Sequence, residues 1–229
     1  MSITLIIIVA TCLISYQCFN DPALRAQLLF QPAAINNRGE WYRFITSGFI
    51  HADFRHLLFN MWALYIFGQQ AEMLFVDGLY YSDGGVRTSL VAPIFGKPLG
   101  PLMYLLFYLA GIVAASSVNY LRHKDNYGYT ALGASGGVSA MMWPFILLGP
   151  WEWFIFPPLP AIFLGVAYLW YSNRMDQQGG GRVDHSAHLW GAIFGLIAYV
   201  LLVVFRRPQL LEIFWMQLQN PKGPSFLGF

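Results

Sequence analysis

Residues 133–149 read Gly-Ala-Ser-Gly-Gly-Val-Ser-Ala-Met-Met-Trp-Pro-Phe-Ile-Leu-Leu-Gly, apolar apart from Ser135 and Ser139. A helix that is apolar on every side is buried in a large core or lies in a membrane. The rest of the chain decides between the two. Of its 229 residues, 57% are hydrophobic, 17% aromatic and only 10% charged, with a mean hydropathy of +0.49. Soluble domains carry about 25% charged residues, so this chain lacks the charge for a water-facing surface. Six apolar stretches, at 2–19, 53–74, 99–121, 133–149, 154–172 and 186–205, are long enough to cross about 30 Å of hydrocarbon as helices. The expected fold is an all-α membrane protein: one six-helix domain over 1–205, then a short tail over 206–229.

Residues 2–19 lack the basic start and small-residue cleavage site of a secretory signal, and read as a retained first span. Pro157, Pro158 and Pro160 should sit at the entry of the fifth span, where a missing N–H matters least. Asn36–Gly39, Ser82–Gly85 and Gly179–Gly181 carry turn chemistry. The first connector, about 20–51, holds Phe30, Trp41, Tyr42, Phe44 and Phe49, and reads as a loop at the headgroup boundary. Residues 209–219 suit a short interfacial helix. Cys12 and Cys18 lie in one apolar segment and form no disulfide framework. A net charge of +2, with no basic tract among aromatics, excludes nucleic acid as a partner and leaves the lipid bilayer. Counting Lys and Arg near the spans, the positive-inside rule alone would put the termini outside.

With six crossings, spans two, four and six start on one face. His56 and Asn60 fall in the first turns of span two, spaced i,i+4 and so on one helix face. Ser135 falls in the first turn of span four and His188 in the first turn of span six. Polar groups from three helices thus converge at one depth. Such groups are costly in a membrane and mark function.

The residue types suggest the chemistry. A serine hydroxyl needs a base to become a nucleophile, and the neutral imidazole of His188 can take its proton and return it to a leaving amine. A tetrahedral intermediate needs donors for its oxyanion. Ser135 opens a helix, so its own N–H has no intrahelical acceptor, and Asn60 and His56 can add theirs. Asp184 lies four residues before His188 and outside the expected helix, so a Ser–His dyad fits better than a triad.

Each feature has a plainer explanation. Small residues in membrane helices more often serve close packing. That explains Gly191 and Gly195, which would let span six approach span four. The Gly-x-Ser-x-Gly at 133–137 is not a hydrolase elbow, because no strand precedes it. His51, His56, His123, His185 and His188 all fall on the site's side. Without His-Glu-x-x-His or a cysteine there, no metal is expected. Arg43 reads as a pin donating to loop carbonyls, and Glu72 as a partner for other helix ends.

Together the motifs Arg43-x-x-Thr46, His56-Leu-Leu-Phe-Asn60, Gly133-Ala-Ser135-Gly136, and Ala187-His188 with Gly191 and Gly195 resemble the rhomboid family over about residues 40–200. The resemblance implies a six-transmembrane-helix bundle with a membrane-associated first loop. It implies an intramembrane serine endopeptidase that cuts transmembrane protein substrates through an acyl-enzyme, with no metal or organic cofactor. Ser135 would be the nucleophile and His188 the base. His56, Asn60 and the Ser135 N–H would stabilise the oxyanion, and Arg43, Gly133, Gly136, Gly191 and Gly195 would support the structure. The termini would lie in the cytoplasm, with the chain multi-pass in a bacterial inner membrane. The alternatives are an inactive relative that binds membrane helices without cutting them, and a small transporter or metal-handling protein. Two positions depart from the family pattern. Tyr42, with Trp41 before it, stands where many members have tryptophan. Ser139 stands where many have a tyrosine stacked on the catalytic histidine, so Trp190, Met142 or a hydrogen bond must orient His188.

Overall fold

Ser2, Asp21, Asp53 and Asp184 each accept a backbone N–H two or three residues ahead, and helices start at these caps. The computed structural model describes residues 2–83, 86–154, 158–178, 184–221 and 223. In chain order it holds α1 (Ile3–Asn20), α2 (Pro22–Leu28), α3 (Pro32–Arg38), α4 (Arg43–Thr46) and a 3-10 turn at Ser47–Phe49. Then come α5 (Phe54–Val76), the antiparallel strands β1 (Leu79–Asp83) and β2 (Val86–Val91), and α6 (Gly100–His123). The chain continues with α7 (Ser135–Leu148), α8 (Ala161–Gln178), α9 (His185–Arg206) and α10 (Gln209–Leu218).

The hairpin corrects the all-α expectation: the connector after α5 pairs Leu79–Asp83 with Val86–Val91. Tyr, Val, Thr and Leu dominate these strands and suit a pleated backbone. The Gly84-Gly85 turn and Gly179–Gly181 lie outside the described residues. The fifth apolar stretch also shifts. Its helix starts at Ala161 instead of near 154, because Pro158 and Pro160 lack the N–H a helix interior needs; Pro157 is outside the described residues. The helix then runs through Asn173, Arg174 and Asp176.

The core forms around α7. It packs against α5, α6 and α9, and Gly136–Pro144 and Ile146 are all buried. That burial is why the segment is apolar on every side. Pro144 removes the donor that would reach the Ala140 carbonyl, and Gly195 packs against that same turn. The Trp143 indole N–H closes the contact on the α9 side, donating to the Ala192 carbonyl at 2.7 Å. At the other end of the bundle, Glu72 accepts from Ser2 Oγ, the Ile3 and Thr4 N–H groups and Thr4 Oγ1 (2.6–2.9 Å), so α5 caps α1.

Among the described residues three helices are long and apolar enough to cross a membrane: Ile3–Asn20, Gly100–His123 and His185–Arg206. α5 and α8 carry polar residues that dilute their hydropathy, and α7 is shorter, at 14 residues. The protein is a largely helical integral membrane protein.

The first connector is folded as short helices. Phe30, Ile35 and Phe44 form a small core with Val113, Tyr120, Tyr129 and Ala131. Phe30 and Ala131 exchange two backbone hydrogen bonds, 2.9 and 3.0 Å, so this connector grips the segment that leads into α7.

Candidate active site

Ser135 opens α7, and no side chain caps that helix. Hydrogen bonds from three residues of the preceding segment fix its entry. Ala131 bonds Phe30, the Gly133 N–H donates to the Ser47 carbonyl (2.9 Å), and the Ala134 N–H donates to His51 Nε2 (3.3 Å). Because His51 Nε2 accepts, its proton sits on Nδ1 and is donated to Ser15 Oγ (2.9 Å), which donates onward to the Phe49 carbonyl (2.9 Å). Full burial pushes the His51 pKa down to about 3, so the ring is neutral. Its bond to Ala134, one residue before Ser135, joins segments 83 residues apart and was not legible locally.

Gly133 has φ +122°, a conformation that favours glycine. A Cβ there would stand 2.7 Å from His56 Cε1 and 2.9 Å from Nε2, so the His56 ring rests on this turn. The Ala52 N–H points to His56 Nδ1 at 3.4 Å, which leaves the ring proton on Nε2, the side next to Gly133. Asn60 lies one turn further along α5. It is 8% exposed and donates one amide hydrogen to the His56 carbonyl (2.9 Å). Its second amide hydrogen makes no hydrogen bond among the described residues.

α9 reaches α7 through glycine. A Cβ on Gly191 would meet the Gly136 oxygen at 2.3 Å, and one on Gly195 the Ala140 Cα at 2.4 Å. A Cβ on Gly136 would meet Ala115 Cβ of α6 at 2.3 Å. His188, one turn before Gly191, is thereby held beside the start of α7. Ser135, His188, His56 and Asn60 all line one cavity of about 1140 Å³. Among the described residues no hydrogen bond joins the Ser135 hydroxyl to the His188 ring.

Asp184 is turned to other work. Its oxygens accept from the Ala187 N–H (2.9 Å), Asn119 Nδ2 (2.7 Å) and the Tyr129 hydroxyl (3.1 Å). Burial, reinforced by Asp184, pushes the Tyr129 pKa well above the usual phenol range, so Tyr129 remains a donor. The His188 N–H donates to the Asp184 carbonyl at 3.2 Å, but among the described residues no hydrogen bond joins the Asp184 carboxylate to the His188 ring. Arg122 of α6 bonds Asp176 of α8 (2.9 and 3.0 Å) and Ser186 of α9 (3.2 Å), closing one rim of the cavity.

Arg43 stands away from the cavity. It is 5% exposed, donates to the Ala26 and Leu29 carbonyls at 2.9 and 2.7 Å, and pairs with Glu40. Thr46 Oγ1 donates to the Leu28 carbonyl at 2.8 Å. These bonds fold the first connector into the clamp that holds 131–134. Trp41 is exposed and stacks on Phe44, with ring centroids 6.0 Å apart.

A family model for the rhomboid domain matches residues 38–205. The chain is 30% identical over 181 residues to RHOMBOID-like protein 12, mitochondrial, of Arabidopsis thaliana, covering 70% of this chain and 46% of that protein. It is 27% identical to Rhomboid-like protein 11, chloroplastic, of the same plant, covering 74% of this chain and 55% of the relative. It is 26% identical over 110 residues to the Bacillus subtilis (strain 168) protein YdcA, provisionally named a rhomboid protease, covering 48% and 42%. The matched region spans about half the length of each relative. Their compartments differ, so they support an integral membrane protein and do not carry the bacterial inner membrane expected from sequence.

Proposed function

From the premise that this chain belongs to the rhomboid family, we propose that it is an intramembrane serine endopeptidase working through a Ser135–His188 dyad. The observation that carries this reading is that Ser135, His188, His56 and Asn60, from three helices, line one cavity. In this reading α1, α5, α6, α7, α8 and α9 form six spans. Leu58, Trp62 and Tyr65 of α5, and Phe163, Val166 and Trp170 of α8, present large exposed apolar side chains suited to lipid. A helix of 14 residues rises roughly 21 Å, short of about 30 Å of hydrocarbon. In this reading the recessed end is the start of α7, which places Ser135 below the membrane surface.

The mechanism follows from the atoms present. His188 takes the Ser135 proton as Oγ attacks the substrate carbonyl carbon. The resulting oxyanion is met by the Ser135 N–H of the uncapped helix start, His56 Nε2–H and the second Asn60 amide hydrogen. His188 returns the proton to the leaving amine, giving an acyl-enzyme on Ser135. Water, deprotonated by His188, then releases the acid and restores the hydroxyl. Asp184 caps α9 and takes no part in proton transfer, which favours a dyad over a triad. A helical substrate in lipid has every carbonyl hydrogen-bonded. It must unwind before attack, which favours transmembrane substrates with Gly, Pro or small residues near the cut.

The test is labelling by a fluorescent serine-directed phosphonate in detergent or liposomes, with Ser135→Ala and His188→Ala beside the parent. Labelling of the parent alone is the expected result. Labelling kept in His188→Ala would replace the base, with His56 next in line. No labelling of a folded parent would favour a relative that binds membrane helices without cutting them.

A further inference from the structure

His188 makes no side-chain hydrogen bond among the described residues, so hydrogen bonding does not set the tilt of its ring. Its ring neighbours are His185, meeting it edge-on at 5.7 Å, and Tyr168 of α8. The Tyr168 ring lies nearly parallel to the imidazole, with centroids 5.9 Å apart and planes 18° apart, within the range of offset stacking. Trp190 does not take this place: among the described residues it makes no ring contact with His188, and its buried indole N–H has no hydrogen-bond partner.

Tyr168 is itself registered to the nucleophile. The Ser139 hydroxyl donates its one hydrogen to the Ser135 carbonyl, four residues back on α7, at 2.7 Å. The Tyr168 hydroxyl, 2.5 Å from Ser139 Oγ, must then be the donor between them. A relay thus runs from Tyr168 Oη–H to Ser139 Oγ–H to the Ser135 carbonyl. One side chain is bonded toward the backbone of Ser135 and stacked on His188. Eight residues along α8, the Asp176–Arg122 pair fastens the same helix to α6.

We propose that Tyr168 is the positioning residue for His188, and that Ser139 is the hydroxyl that fixes the Tyr168 ring in register with Ser135. This rests on the dyad reading above. Stacking fixes the plane of the His188 ring, a task that in a triad falls to a carboxylate. The ring does this from α8, a helix that flanks the cavity, so the base is ordered when α8 is docked.

The test uses the full chain in detergent, with Tyr168→Leu, Tyr168→Phe and Ser139→Ala, each checked by thermal melt. Two readouts are taken: the phosphonate labelling rate and the NMR signals of the His188 ring, assigned by their loss in His188→Gln. Labelling should fall roughly tenfold or more in Tyr168→Leu, the scale of a misplaced catalytic group. It should be largely restored in Tyr168→Phe, which keeps the stack, and fall by a smaller factor in Ser139→Ala. The His188 signals should move in Tyr168→Leu and stay near their parental place in Tyr168→Phe. A folded Tyr168→Leu with parental labelling, or with unmoved His188 signals, overturns the proposal while leaving the dyad intact. A folded parent that takes no label overturns the dyad reading and the role of Tyr168 with it.

Discussion

Gly191 of α9 stands so close to Gly136 of α7 that an added methyl group would lie 2.3 Å from the Gly136 carbonyl oxygen and 2.8 Å from its Cα. Both are backbone atoms, so neither can swing aside. His188 lies one turn before Gly191, and Ser135 directly precedes Gly136. Gly191→Ala should therefore push the dyad apart along with the helices. Labelling should fall by about 100-fold, and stability by about 1–3 kcal/mol from overpacking. Probe kinetics and a melt in detergent read both, and a fully active Gly191→Ala would contradict the contact.

Asp184→Asn separates a dyad from a triad. Asparagine caps a helix about as well as aspartate, so the cost should come from the oxygen that accepts from Asn119 and Tyr129, about 1–3 kcal/mol. Labelling should stay within about tenfold of the parent. A loss near 10⁴-fold, the scale of a removed triad carboxylate, would make Asp184 a partner of His188 after all.

Asn60→Ala and His56→Phe remove the two side-chain donors beside the Ser135 helix start. Each should lower kcat by roughly 10²–10³-fold with little change in KM, as loss of an oxyanion donor does. Cleavage of a detergent-solubilised transmembrane peptide measures the split. A change confined to KM would place these residues in substrate binding instead.

Arg43→Ala leaves the carbonyls of Ala26 and Leu29 without their charged donor and Glu40 without its partner. A loss of about 2–3 kcal/mol is expected, seen as a lower melting temperature. Arg43→Lys should recover only part of it, because an ammonium cannot reproduce the fork that reaches these carbonyls and Glu40 together.

His51 sets a pH dependence. Its folded pKa is depressed to about 3 from an ordinary value of 6.5. Below pH 6.5 the unfolded chain therefore gains a proton that the folded chain refuses. Stability conferred by the neutral ring is present above pH 6.5 and is lost as pH falls toward 3, by at most about 1.4 kcal/mol per pH unit. Melting temperatures from pH 7 to pH 4 should fall more steeply for the parent than for His51→Gln; equal slopes would remove His51 as the cause.

Much of the site is written locally. A helix repeats every 3.6 residues, so His56 and Asn60 share a face wherever α5 packs. An aspartate before a helix caps it, and a serine at a helix start carries a free N–H. Apolar length likewise marked most helices to within a few residues. The fifth helix starts at Ala161, directly after Pro160, and so later than the apolar stretch does. The hairpin after α5 lies in a connector whose clearest local signal is the turn chemistry of Ser82–Gly85, which does not by itself specify paired strands.

What the sequence determined by itself is the membrane character of the chain, the order of its motifs, and the placing of Ser135, His188, His56 and Asn60 near the starts of three helices. These follow from composition and helix periodicity, which act along the chain. Only the tertiary structure decided what orients the pieces. Tyr168 stacks on His188 from a different helix, His51 bonds Ala134 across 83 residues, and Asp184 spends its oxygens on Asn119 and Tyr129. Each of these joins segments far apart in sequence, and such contacts depend on how α7, α8 and α9 pack, which no local spacing encodes.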